Sequence, residues 1–72
     1  MPHIDVKMFP GRDEDLKKKF AEKVIEAASI TLGAPKDDFS VSIEDVDPDR
    51  WNEDVADKVN PKDIKAGKMY RK

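Results

Sequence analysis

Three side chains and one backbone nitrogen stand out as groups able to do chemistry: Pro2, Arg12, Trp51 and, more weakly, His3. An amide nitrogen is no base, but a proline freed of Met1 carries a secondary amine. An ordinary α-amino group titrates at about 7.7–8.0. Burial against apolar groups, or a nearby arginine, lowers that value and leaves the nitrogen neutral enough to act as a general base near pH 7. Arg12 sits just before a helix start, where a cation opposes the helix dipole at a cost of a few tenths of a kcal/mol. An unfavourable position points to another duty, and the planar guanidinium fork suits a substrate carboxylate. The plain alternative is a solvated turn arginine. Trp51, the only tryptophan, serves as a hydrophobic anchor, as a pocket wall lowering the dielectric around Pro2, or as both. His3 faces away from Ile4 and reads as a surface or interface residue. Tyr70 is placed to cap a pocket, in the segment with the weakest pattern.

Other constellations are excluded. No cysteine is present, so disulfides and thiolate catalysis are ruled out, and a single histidine rules out a histidine-rich metal cage. The glycines are isolated and form no phosphate loop. A hydrolase triad would need His3 with Ser29, Ser40 or Ser42, and spacing gives it no support. "DVDPDR" lacks the glycine and glutamate that a calcium loop needs, with Arg50 and Ala56 at those positions. No metal or cofactor is expected.

Elements must hold these groups in place. Residues 3–8 alternate, with His3, Asp5 and Lys7 against Ile4, Val6 and Met8, which predicts a strand. "FPGR" ends it at a Pro-Gly turn. Asp13 is a good N-cap, and Glu14 and Asp15 supply negative charge to a first helical turn. Leu16, Phe20, Val24, Ala27, Ala28 and Thr31 recur at helical spacing. Glu22, Glu26 and Lys18 offer charge pairs one turn apart. Gly33 is placed as the C′ residue and Pro35 forbids continuation, so the helix is expected over 13–32. Ala21, Ile25 and Leu32 widen its apolar arc beyond one stripe, which suggests contact with another subunit. "FSVSIEDV" predicts a second strand, with Phe39, Val41 and Ile43 inward. Strand, helix, strand with short connections makes a βαβ unit with parallel strands. "NEDVADKV" fits a short helix or irregular chain. Asn60-Pro61 predicts a turn of helix that Gly67 ends. "KMYRK" fits a short strand or a flexible tail.

The chain of 72 residues allows one domain over 1–72. Chains this short bury only about 60% of their unfolded surface and usually need a staple. With no disulfide or metal in prospect, a homo-oligomer is the expected staple. Charged residues make up 42% and apolar ones 38%, both signs are interspersed, and the net charge is −2. That balance gives no general pull toward nucleic acid, and four cations in the tail are too few to change this. No apolar run approaches the about 20 residues of a membrane span, and no signal-peptide core is visible, so the cytosol is the expected compartment.

"MPHIDVKMFPGR", "DEDLKKKFAEKVIEAASITLGAP" and "FSVSIEDVDPDRW" together resemble the 4-oxalocrotonate tautomerase family, above all its small phenylpyruvate-tautomerase-like bacterial members. The likeness covers residues 2 to about 52, and the tail matches more loosely through "VNP" and the closing tyrosine. It implies an α+β βαβ protomer, two parallel strands and one long crossover helix, with the sheet completed by oligomerisation as a dimer or hexamer. It also implies a cofactor-free isomerase, in which Pro2, freed of Met1, shuttles a proton between oxygen and carbon of an enol or keto carboxylate. Arg12 falls on the family's carboxylate-binding arginine and Trp51 on its aromatic wall. Ser40 stands where 4-oxalocrotonate tautomerases proper place a second arginine, which favours a monocarboxylate. A non-enzymatic oligomeric module that binds partners through the acidic turn or basic tail is the alternative.

Overall fold

The computed structural model describes all residues, Met1–Lys72. The alternating stretch forms β1 (His3–Met8), the helix α1 spans Glu14–Leu32, and the second strand β2 spans Ser40–Asp45. Asp13 caps α1 as the sequence predicts, its Oδ1 accepting from the Leu16 N–H at 2.8 Å. Gly33 ends the helix in the left-handed region (φ 68°), which a residue with a Cβ adopts only at a cost. The Gly33 and Ala34 N–H groups both donate to the Ser29 carbonyl, at 3.0 and 3.3 Å.

β1 and β2 pair in parallel, His3 opposite Ser40 through Met8 opposite Asp45. Both strands therefore start at one edge of the sheet and finish at the other. α1 lies over β2. Its half-buried residues are Ala21, Val24, Ile25, Ala28 and Ser29, together with Lys17 and Glu26, whereas Leu16 and Phe20 remain 52% and 43% exposed. The covering face is thus turned from the expected stripe: Ala21 and Ile25 belong to it, and Leu16, Phe20, Ala27 and Thr31 do not. Two strands about 4.8 Å apart are narrower than a helix of about 10 Å with its side chains, so part of the apolar arc has nothing beneath it. Leu16 and Phe20 overhang the β1 edge, lining with Val6, Met8 and Arg12 a cleft of about 370 Å³.

Beyond β2 the chain makes a 3-10 turn (Pro48–Arg50), a π-helical turn (Asn52–Ala56) and a second 3-10 turn (Pro61–Asp63). The last is capped by Asn60 as predicted, but it ends at Ile64, well before Gly67. "KMYRK" forms neither helix nor strand. The expected Lys18–Glu22 pair does not form; the ion pairs of the helix are instead Lys23 with Glu26 at 3.2 Å and Lys17 with Glu14 at 3.5 Å and with Asp45 at 2.9 Å. The fully buried residues are four: Phe39, Val46, Val55 and Ala56. No helix is long and apolar enough to cross a membrane.

Candidate active site

A parallel pair sorts its loops by edge: the segments entering the strands gather at one end, and the segments leaving them gather at the other. Pro2 precedes β1 and Ser40 opens β2, so the two meet, the Ser40 N–H donating to the Pro2 carbonyl at 3.3 Å. Arg12 comes after β1 and Trp51 after β2, so they meet at the opposite edge. Met8, Phe9, Arg12, Trp51 and Tyr70 line one cavity there, of about 250 Å³. The six residues of β1 separate the two groups by ~20 Å at the usual rise per residue. The four predicted site residues therefore form two half-sites within one chain: Pro2 with Ser40, and Arg12 with Trp51.

The second half-site is aromatic. Phe9 stands edge-to-face on Trp51 (centroids 5.1 Å apart) and on Tyr70 (5.7 Å), and Trp51 and Tyr70 lie 6.5 Å apart. Three rings at steep angles beside a guanidinium suit an anion that carries a flat apolar group. In the sequence Phe9 reads only as part of the strand-ending turn. Its place next to Arg12 comes from that turn, but its partners come from residues far along the chain.

The first half-site holds a polar row that spacing alone did not reveal. The register brings His3 between two serines, Nδ1 2.6 Å from Ser40 Oγ and Nε2 2.9 Å from Ser42 Oγ. Ser42 donates its one hydroxyl proton to Asp5 at 3.1 Å. In the neutral ring Nε2–H therefore donates to Ser42, and Nδ1 accepts from Ser40. Lys7 closes the row, bonding Asp5 at 2.9 Å and Glu44 at 3.3 Å. Hydrogen bonds from Lys7 and then Ser42 hold the Asp5 carboxyl below its ordinary value, and the Asp5 bond holds Lys7 above its own. His3, Ser40 and Ser42 line none of the surface cavities, so the row lacks the enclosed site that acyl transfer would need.

The acidic turn is committed to the fold. Asp45 pairs with Lys17, Asp47 accepts from the Asp49 N–H at 2.9 Å, and Asp49 pairs with Lys72. No cluster of three or more His, Asp or Glu side chains is arranged to hold a metal ion.

Comparison with known proteins identifies the family of the chain. A family model described as tautomerase enzyme matches residues 2–57. Tautomerase PptA of Pectobacterium carotovorum is 40% identical over 60 residues, which are 82% of this chain and 79% of that protein. A probable tautomerase of Bacillus cereus is 45% identical over 51 residues, 71% of this chain and 84% of that one. The 2-hydroxymuconate tautomerase of Bacillus subtilis is 39% identical, over 71% of this chain and 82% of that protein. Among solved structures, TomN, a 4-oxalocrotonate tautomerase homologue in the tomaymycin biosynthetic pathway, superposes with a TM-score of 0.66 at 34% identity, covering 69% of this chain and 77% of its own. The matched segment contains Pro2, Phe9, Arg12, Ser40 and Trp51 and stops before the tail that carries Tyr70. The βαβ frame, the shared sequence and the structural likeness agree: this chain belongs to the tautomerase family, whose members are isomerases.

Proposed function

We propose that this chain is a cofactor-free keto–enol tautomerase acting on small 2-oxo or enol monocarboxylates, with the site assembled between two copies. Pro2, freed of Met1, supplies the amine that takes the enol hydroxyl proton and returns a proton to carbon. Arg12 of the partner subunit holds the carboxylate through its planar fork, and the partner subunit's Trp51 excludes water from the nitrogen. Ser40 lies beside Pro2 as a neutral hydrogen-bonding group where a second cation would suit a dicarboxylate.

The observation that carries this reading is the separation of Pro2 and Arg12 to opposite ends of β1. One chain cannot close that gap, whereas a two-fold axis at a sheet edge can. Antiparallel pairing of two β1 edges sets the Pro2 end of one copy beside the Arg12 end of the other. The uncovered Leu16 and Phe20 at that same edge favour it, because a second sheet would give them a floor. Homo-oligomers built on this pair, dimer or hexamer, satisfy the argument equally.

The test monitors enol-to-keto conversion of phenylpyruvate by absorbance, with intact mass confirming that Met1 is gone. Pro2→Ala and Arg12→Ala are each expected to lose turnover. Their mixture, unfolded and reassembled together, is expected to regain about one quarter of the wild-type rate, since half the pairs hold one intact site. Rates that stay at the level of either variant alone would place the site within a single chain and refute the shared arrangement.

A further inference from the structure

Residues 58–72 lie outside the matched family segment, yet they reach back to the Arg12 cavity. The Trp51 indole N–H donates to the Tyr70 carbonyl at 2.9 Å. The Asn52 side chain grips Lys72 from both sides: its Nδ2 donates to the Lys72 carbonyl at 3.3 Å, and its Oδ1 accepts from the Lys72 N–H at 3.0 Å. Arg71 pairs with Asp57, and Lys72 with Asp49, each at 2.5 Å. Five contacts thus order residues 70–72, which form no helix or strand.

What they position is a ring that buries little. Tyr70 remains 53% exposed, so core packing does not account for its placement. The ring instead lines the same cavity as Arg12, Phe9 and Trp51. Its plane lies 85° from Phe9 and 67° from Trp51. Rings at steep angles form a corner into which a further flat ring fits with its edge toward a π-face. The guanidinium beside the corner fixes the other end of such a ligand.

We propose that the C-terminal tail is a specificity element. It seats Tyr70 so that the Phe9–Trp51–Tyr70 corner takes the aryl group of an aryl-substituted monocarboxylate whose carboxylate is held by Arg12. This rests on the function proposed above for its substrate, but it concerns binding and is testable without turnover. Asn52 acts as a positioning residue, through the tail backbone.

The experiment titrates the Met1-trimmed full chain with two unreactive acids, 3-phenylpropanoate and butanoate, monitored by Trp51 fluorescence and one-dimensional NMR. The wild-type chain is expected to prefer the aryl acid. Tyr70→Ala is expected to weaken 3-phenylpropanoate about fivefold and to shrink that preference, while Tyr70→Phe keeps it. Asn52→Ala is expected to produce the same loss together with faster hydrogen exchange at residues 70–72. Two outcomes overturn the proposal: undiminished aryl binding by Tyr70→Ala, or an equal fall for both acids, which would make the tail a structural anchor only. Failure of Pro2→Ala to slow enol conversion would instead overturn the proposed chemistry and leave this binding preference standing.

Discussion

His3 sits directly across the sheet from Ser40, its Nδ1 2.6 Å from the serine hydroxyl, one residue along from Pro2. The histidine orients the side chain of Ser40, whose N–H donates to the Pro2 carbonyl, and it is joined to Asp5 through Ser42. Replacing His3 by Ala frees Ser40 and Ser42 without opening a cavity, since all three are exposed. The expected outcome is a loss of about fivefold in kcat/KM for enol conversion, the scale of one hydrogen bond, with little change in melting temperature. Steady-state kinetics with a thermal melt on the same sample checks it, and His3→Asn should restore part of the loss.

Arg12 does not belong to the ion-pair network, in contrast to Arg50 and Arg71, which pair with Glu53, Asp54 and Asp57. A cation without a carboxylate partner can give its whole fork to a ligand. Arg12→Ala is expected to raise KM by about 10- to 100-fold, the range for a hydrogen bond to a charged group. Arg12→Lys should recover charge but not bidentate geometry, and so only part of the affinity. Substrate titrations on the three proteins separate these cases, and an unchanged KM in Arg12→Ala would remove Arg12 from the site.

Leu16 and Phe20 overhang β1 with no floor in the single chain. Replacing both by Ser is therefore expected to stabilise the separated chain relative to the assembly. Light scattering should show the mass falling toward that of one chain, 8.2 kDa, with activity lost in parallel. Retention of both mass and activity would direct assembly to another face, and the still more exposed Ile30 (82%) would then be the next position to change.

The tail should stay attached across neutral pH and release at the extremes. Lys72 holds the Asp49 carboxyl below its ordinary 3.8, so this contribution is complete above that value and is lost as pH falls through the lowered one. Asp49 in turn holds Lys72 above its ordinary 10.5, so that side is complete below 10.5 and is lost only as pH rises through the raised value. Both groups are exposed, and salt should weaken the pair. Tracking the Trp51 indole NMR signal from pH 3 to pH 11 is expected to show a flat region between these limits, narrower at high ionic strength.

Local chemistry made much of this legible in the sequence. Strict alternation set β1, and Asp13 and Gly33 bracketed α1 to within a residue. The short connections and crossover geometry required parallel strands. Three features escaped, for physical reasons. The rotation of α1 depends on how wide a sheet lies beneath it, which a hydrophobic stripe does not encode. The His3–Ser40–Ser42 row depends on register, and residues 37 apart in sequence declare no relation until the strands are aligned. The tail adopts neither helical nor strand period because its bonds run through side chains, Asn52 above all. The division of the candidate site comes from topology itself: once the strands are parallel, Pro2 and Arg12 must fall at opposite ends.

Four buried side chains leave the separated chain close to the margin of independent stability. If folding and site completion both come with association, protein concentration becomes a variable of the chemistry. By mass action, turnover per molecule would climb with concentration and level off once pairing saturates. Dilution alone would silence the enzyme without an inhibitor, and the amount a cell makes would set the threshold at which activity begins.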